Sequence, residues 1–292
     1  MHIASFLHPD TQDAIAVWLT SLGHQLSQHT DTAERLVTDY QHLQQLNTQN
    51  CTLEPQHWLL IDSQLSTTQT IQALQRGCGY ISTAPLDKTT LKDWLAGTNP
   101  LPNMLAIDKQ TLPTPEADPR LDQFIDIITT DLITKGMWTE ELRQEAKRLI
   151  PYRDIGLQLP QFKHLKEEGK LSPLQQAQLA CHTLAGAALL EQNQQPEAAQ
   201  IALQHHEHFD GTGYPQQIKD TDIHPIARLA KLYDAYTGLR KEKAYAKAQS
   251  HEASVQKLQF GDGYLWPGQF EPQLLQSLID NEPHVAKLFD SG

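Results

Sequence analysis

The stretch His205-His206-Glu207-His208-Phe209-Asp210-Gly211-Thr212-Gly213-Tyr214-Pro215 decides how this chain is read. It sets adjacent imidazoles and carboxylates just before a glycine-rich turn that ends in Tyr-Pro. Imidazole and carboxylate are ligands of borderline transition metals. Glycine lets the backbone turn through positive φ and come close to a ligand. The stretch therefore reads as a metal or phosphate site at the end of a helix.

The sequence around it has helical spacing. Leu121 to Lys135 is periodic and stops at Gly136, and Thr139 opens a further helix with Glu140 and Glu141 in its first turn. Ser172-Pro173 is an N-cap and first-turn proline ahead of one helix from Leu174 to Gln192. Pro196 to His206, Ile226 to Leu239 and Pro272 to Ile279 complete the set. Residues 120–292 are thus expected to form an all-α bundle. Pro100, Pro102, Pro113, Pro115 and Pro119 crowd the segment before it, which predicts a proline-rich linker over 98–119.

Residues 1–97 alternate between strand and helix patterns. Ile3 to Leu7, Trp58-Leu59-Leu60-Ile61 and Tyr80 to Thr83 are short apolar or β-rich runs. Gln12 to Leu22, Thr32 to Leu46, Thr67 to Gln75 (stopped by Gly77) and Lys88 to Leu95 have helical spacing. That alternation predicts a small α/β layer with a mostly parallel sheet.

Of the 292 residues, 39% are hydrophobic and 20% charged, which is ordinary for a chain with a core. The net charge of −12 argues against a general binder of nucleic acid or anionic membrane, either of which calls for a basic surface. The three cysteines, Cys51, Cys78 and Cys181, are scattered without CxxC spacing, which predicts a reducing compartment and no disulfide framework. The start, Met1-His2-Ile3-Ala4-Ser5-Phe6-Leu7, lacks a basic leader, and no apolar run approaches the roughly 18 residues of a membrane span. A cytoplasmic location is expected.

Taken together with Ile223-x-Pro225-x-Ala227-Arg228-Leu229 and Leu232-Tyr233-Asp234-Ala235-Tyr236-Thr237, the opening stretch resembles an HD-GYP domain over about residues 120–285. Members of that family are metal-dependent phosphodiesterases of the HD superfamily that act on cyclic di-GMP. The resemblance implies an HD-type helical bundle around a divalent-metal centre, with iron or manganese as the ion. It carries the metal ligands onto Asp154 in "PYRDIGLQLP", His182, His205, His206 and Asp234. Asp154 takes the place of the bridging aspartate and so also a catalytic role. Asp234 matches the late aspartate by its spacing from Arg228, although the "DAYT" string would also fit one turn further on. Gly213, Tyr214, Arg228, Arg240 and Lys243 are the expected contacts to the nucleotide or its phosphates.

The sequence departs from the family at three places. Arg153 stands where the family has the histidine of its His-Asp pair, and Leu157 stands where it has a lysine. The early helix offers Ala117 and Leu121 where further ligands belong. Arginine stays protonated and cannot ligate a cation, so Arg153 would repel one metal or bind a phosphate in its stead. Two readings follow. One is a degenerate HD-GYP protein that binds cyclic di-GMP or a partner protein with little or no turnover, holding one or two ions or none. The other is a phosphodiesterase giving pGpG or GMP.

Residues 1–97 resemble a response-regulator receiver through "WLLIDSQL" and "ALQRGCGYISTAPLD". His8-Pro9-Asp10 stands in place of an acidic pair, Ala84 in place of a lysine, and the interval from Asp62 to Pro85 is short. Asp62 is therefore read as following a later strand, with no phosphoacceptor assigned. A signalling partner is expected to dock on this module or on the Gly-Tyr-Pro turn.

Overall fold

The computed structural model of the chain describes residues 2–7, 58–62, 65–76, 78, 80–82, 111–167, 171–242 and 247–290, with short pieces at 15–16, 19–20, 25–27, 35–39, 41, 44, 91, 94–96, 104–105 and 107. The expectations for Cys51, Gly77, Ala84, Pro85, Pro100, Pro102 and residues 8–10 fall outside them. The chain divides into two compact units, Met1–Leu105 with Ser172–Gln178, and Ala106–Leu171 with Leu179–Gly292. No helix among the described residues is long and apolar enough to cross a membrane.

The first unit holds five parallel strands: β1 (His2–Phe6), β2 (Gln25–Ser27), β3 (Arg35–Thr38), β4 (Trp58–Ile61) and β5 (Tyr80–Ser82). Their order is β2-β1-β3-β4-β5, a doubly wound arrangement. Successive strand residues point to opposite faces. Leu36, Trp58, Leu60 and Ile81 accordingly join Ala73 and Cys78 in one apolar cluster. Val37, Leu59, Ile61 and Tyr80 join Leu7, Ile15, Leu19, Leu91 and Trp94 in another. Helix α1 (Thr67–Gln75) supplies Ala73, and it starts with Ser66 Oγ accepting from the Gln69 amide at 3.2 Å while Gln69 Oε1 accepts from the Ser66 amide at 2.9 Å.

The expected helix over Thr32–Leu46 is corrected here, because Arg35–Thr38 is the central strand β3. Leu36 and Val37 are both fully buried, each against a different face. A strand covered on both sides has adjacent apolar residues, which periodicity cannot separate from a helix. The described residues at 15–16, 19–20, 91 and 94–96 are helical, in line with the expected helices there.

The second unit is helical: α2 (Leu121–Thr134), α3 (Glu140–Leu149), α4 (Pro160–Glu167), the end of α5 (Pro173–Ala180), α6 (His182–Gln192), α7 (Pro196–Gln204), α8 (Pro225–Arg240), α9 (His251–Phe260), α10 (Pro272–Asp280) and α11 (Glu282–Asp290). Thr139 caps α3 by accepting from the Leu142 amide at 3.2 Å. An aromatic cluster of Phe124, Tyr233, Tyr236 and Phe289 ties α2, α8 and α11 together, with Phe124 and Tyr233 centroids 5.0 Å apart. Helices α4, α9 and α11 went unanticipated.

The single helix expected over Leu174–Gln192 is broken at Cys181 into α5 and α6. No glycine or proline marks the break. Side chains make it instead: the Thr183 hydroxyl donates to Ala180 O at 3.0 Å and His182 Nδ1 meets Leu179 O at 2.7 Å, taking up carbonyls that α5 leaves without an amide.

A turn after α3 comes back to touch α6. It consists of two short 3₁₀ segments, Ile150–Tyr152 and Ile155–Gln158, with Asp154 between them. Two glycines permit the approach. A Cβ on Gly156 would lie 2.1 Å from His182 O, and one on Gly186 would lie 3.0 Å from Gly156 N. Replacing Gly156 by alanine must push the turn off α6, so we expect Gly156→Ala to lower stability by about 2–3 kcal/mol in urea unfolding. Burial pushes the Cys78 and Cys181 thiols up to about 12. Both are expected to resist iodoacetamide at pH 8 in the folded protein and to react when it is denatured, as read by peptide mapping.

Candidate metal centre

Asp154, His182, His205 and His206 converge, each offering a ligand atom within 4.8 Å of the others. The ends of helices do most of the positioning. A helix leaves its last four carbonyls unpaired. At the end of α5, Leu179 O meets His182 Nδ1 at 2.7 Å, and at the end of α7, Ala202 O meets His205 Nδ1 at 2.9 Å. In both cases the histidine lies three residues past the carbonyl. A carbonyl only accepts, so each Nδ1 carries the proton and each Nε2 presents a lone pair.

Those lone pairs face one another. The two Nε2 atoms are 3.3 Å apart, and Asp154 Oδ1 lies 3.4 Å from His182 Nε2 and 3.5 Å from His205 Nε2. Three such atoms around one point repel unless a proton or a metal cation sits between them. Tetrahedral bonds of about 2.0–2.1 Å to nitrogen and oxygen place neighbouring ligand atoms about 3.3–3.4 Å apart, so the set fits a divalent ion. His206 adds a third imidazole, 4.1 Å from the His205 ring and 5.2 Å from that of His182 by centroid. Its ring stacks on Tyr214 at 4.9 Å.

Electrostatics keep the donors available. Burial pushes the Asp154 carboxyl up, but hydrogen bonds from the His182 and His205 rings, where a proton rather than a metal lies between them, and the Arg153 guanidinium hold it well below the usual carboxylate range. Burial, with His205, His182 and Lys231 beside it, keeps His206 well below the usual histidine range and hence neutral. A neutral imidazole and an ionised carboxylate are the forms that bind metal.

Asp234 stands outside this four-residue group. Its Oδ1 accepts from Arg153 Nε at 2.7 Å, and its Oδ2 is buried without a hydrogen-bond partner. Arg153 Nε also lies 3.4 Å from Asp154 Oδ2, and Nη1 donates to Ile150 O at 3.2 Å. Burial opposes the charge on Arg153, but Asp234 and Asp154 outweigh it and hold the guanidinium protonated. Burial raises Asp234 despite the pull of Arg153. Leu121 is packed in the core, and it offers no ligand there.

The glycine turn is braced from within. Asp210 Oδ1 accepts from the Thr212 amide and hydroxyl at 3.0 and 2.6 Å, while Oδ2 accepts from Trp266 Nε1 at 2.7 Å. Glu207 is buried, accepts from the Gln216 amide at 2.6 Å, and is pushed up by burial to about 7. Gly213 has no room for a side chain, since a Cβ would lie 2.2 Å from His208 N.

The remaining expected contacts are placed differently. Arg228 ion-pairs with Glu271 at 3.0 Å and lies 6.0 Å from the Phe209 ring centroid. Arg240 donates to Gln249 O at 2.7 Å and to Asp290. These two arginines are therefore tied to other parts of the bundle, and Lys243 lies outside the described residues. Sequence reasoning missed Lys231, whose charge acts on Asp234, Asp210, His206 and His208. Its signal was a lone lysine in the apolar run "IARLAKLY", three residues before Asp234.

Comparison with known proteins places the helical unit in a family. The HD domain family matches residues 115–266. A Vibrio cholerae protein named probable cyclic di-GMP phosphodiesterase is 31% identical over 182 residues, covering 58% of this chain and 40% of that protein. A Pseudomonas aeruginosa cyclic di-GMP phosphodiesterase is 27% identical over 142 residues, covering 48% and 33%. A Thermotoga maritima cyclic di-GMP phosphodiesterase is 24% identical over 149 residues, covering 50% and 39%. The chain thus spans only 33% to 40% of the length of these relatives. With its histidines and aspartate gathered as described, and with the His205–Pro215 stretch intact, the chain belongs to the HD domain family, in its HD-GYP branch.

Proposed function

We propose that the helical unit is a cyclic di-GMP site built on a single divalent ion, iron or manganese, which holds the nucleotide with little or no turnover. The observation that carries this reading is the contact of Arg153 with Asp234 at 2.7 Å. A second ion would need a ligand where the guanidinium stands and a carboxylate that the guanidinium already neutralises. Two like charges at contact distance repel by about 4 kcal/mol per pair of unit charges even at an effective dielectric of 20.

Asp154, His182, His205 and His206 would hold the one ion. When bound, it would supply Lewis-acid polarisation of a phosphoryl oxygen. Arg153 would sit beside it as a fixed cation, and Tyr214 would keep the His206 ring in place through their stack. The second reading, hydrolysis to pGpG or GMP, is supported by the complete three-histidine and aspartate set and by the names of the relatives.

For the first unit we propose a receiver-like module, residues 1–97, joined to the HD-GYP-like domain by the segment 98–119. The β2-β1-β3-β4-β5 order supports this, since it is the order of that fold class. In such sheets ligands sit where the strand order reverses, between β1 and β3. Asp62 follows β4 instead, which supports a module that docks a signalling partner without phosphorylation at Asp62.

Metal analysis of the purified protein should find about one ion per chain, and cyclic di-GMP should bind yet survive overnight incubation. Rapid release of pGpG or GMP by the wild-type protein would sink the first reading and establish the second. Removing the metal with a chelator should lower the melting temperature, because an ion bound only by the folded state stabilises it. Arg153→His should raise the metal content toward about two ions per chain and increase hydrolysis; a variant with unchanged metal content would show that Arg153 is not what limits the centre.

A further inference from the structure

Arg228, Lys231 and Asp234 follow one another at intervals of three along α8, so they form one stripe. Both ends of the stripe are anchored. Arg228 is paired with Glu271 next to Phe209, and Asp234 is paired with Arg153 next to Asp154. Lys231 therefore lies between the glycine turn and the four-residue centre. Its charge reaches His206, His208, Asp210 and Asp234.

Lys231 has no hydrogen bond or ion pair among the described residues. The carboxylates around it are already committed, Asp234 to Arg153 and Asp210 to Thr212 and Trp266. Lys231 is half-buried, and its nitrogen is not among the fully enclosed polar atoms that lack partners. Lys231 is thus a half-buried ammonium with no protein partner among the described residues. Burial draws it down to about 8, so it remains mostly protonated at neutral pH.

Holding a half-buried cation without a counter-charge is unfavourable until an anion arrives. In a chain of net charge −12, an anion also needs a local cation to approach at all. Arg228 and Arg240 are tied elsewhere, and position 157 is leucine. We propose that Lys231 is a phosphate-binding residue of this site, its ammonium donating to a non-bridging oxygen of a nucleotide phosphodiester held beside His206. The proposal rests on the cyclic di-GMP reading for the nature of the nucleotide, but not for the phosphate.

The test compares Lys231→Met, which keeps the apolar stem, and Lys231→Arg, which keeps the charge, with the wild-type protein in its metal-loaded form. Calorimetry with cyclic di-GMP and with inorganic phosphate is read alongside metal content and melting temperature. Lys231→Met should weaken both ligands about tenfold or more, the scale of one charge-assisted hydrogen bond, with metal content unchanged. Lys231→Arg should stay within a few-fold of wild type. Equal affinity in wild type and Lys231→Met overturns the proposal, and so does a loss in Lys231→Met that Lys231→Arg shares in full, because that pattern marks packing rather than charge. If wild type binds phosphate but not cyclic di-GMP, the nucleotide reading fails, while loss of phosphate in Lys231→Met still supports Lys231. If wild type binds neither, both fail.

Discussion

The bonds from His182 Nδ1 to Leu179 O and from His205 Nδ1 to Ala202 O join the fold of this protein to its chemistry. Each closes a helix end that would otherwise leave a carbonyl unpaired, and each fixes which ring nitrogen carries the proton. Helix termination and ligand orientation are therefore one event. The Gly156–Gly186 approach depends on the same arrangement, since it is the carbonyl of His182 that comes within 2.1 Å of where a Gly156 side chain would start. A side chain at Gly156 would move Asp154 and α6 apart and disperse the centre.

The two aspartates of the site show how environment divides identical groups. Asp154 faces two imidazoles and keeps its charge, although burial alone would remove it. Asp234 faces a guanidinium, yet one of its oxygens is buried without a partner and its carboxyl is raised. Charge in this pocket is arranged as a row, with Arg153 between the two carboxylates and Lys231 one helical turn from Asp234. On the proposed reading such a row lowers the metal count, since a protein cation would stand where a second ion would otherwise be held.

Much of this was legible in the sequence, for identifiable reasons. Helices α2, α7, α8 and α10 were legible from their periodicity, helped by Gly136 after α2 and by a proline in the first turn of α7 and α10. His182, His205, His206 and Asp154 were found through their resemblance to a motif, and they do converge. The strand at Arg35–Thr38 was hidden because burial on both faces erases the alternation that marks a strand. The break at Cys181 was hidden because side-chain hydrogen bonds, rather than glycine or proline, create it. The pairing of Arg228 with Glu271 and the isolation of Lys231 are long-range matters of partner choice, which no local pattern encodes.

The hairpin α6–α7 has a consequence in coordination chemistry. His182 opens it and His205 follows its close, 23 positions apart in the chain. Closing a loop of that length costs only about 3 kcal/mol. To an ion held as proposed, the hairpin would be a bidentate chelator whose bite is set by helix packing, with His206 as a neighbouring third arm. A chelate of this kind would hold one ion independently of the far wall of the pocket. On that reading the number of ions would be open to change by a single substitution at a position such as 153, with the first ion and the fold around it kept.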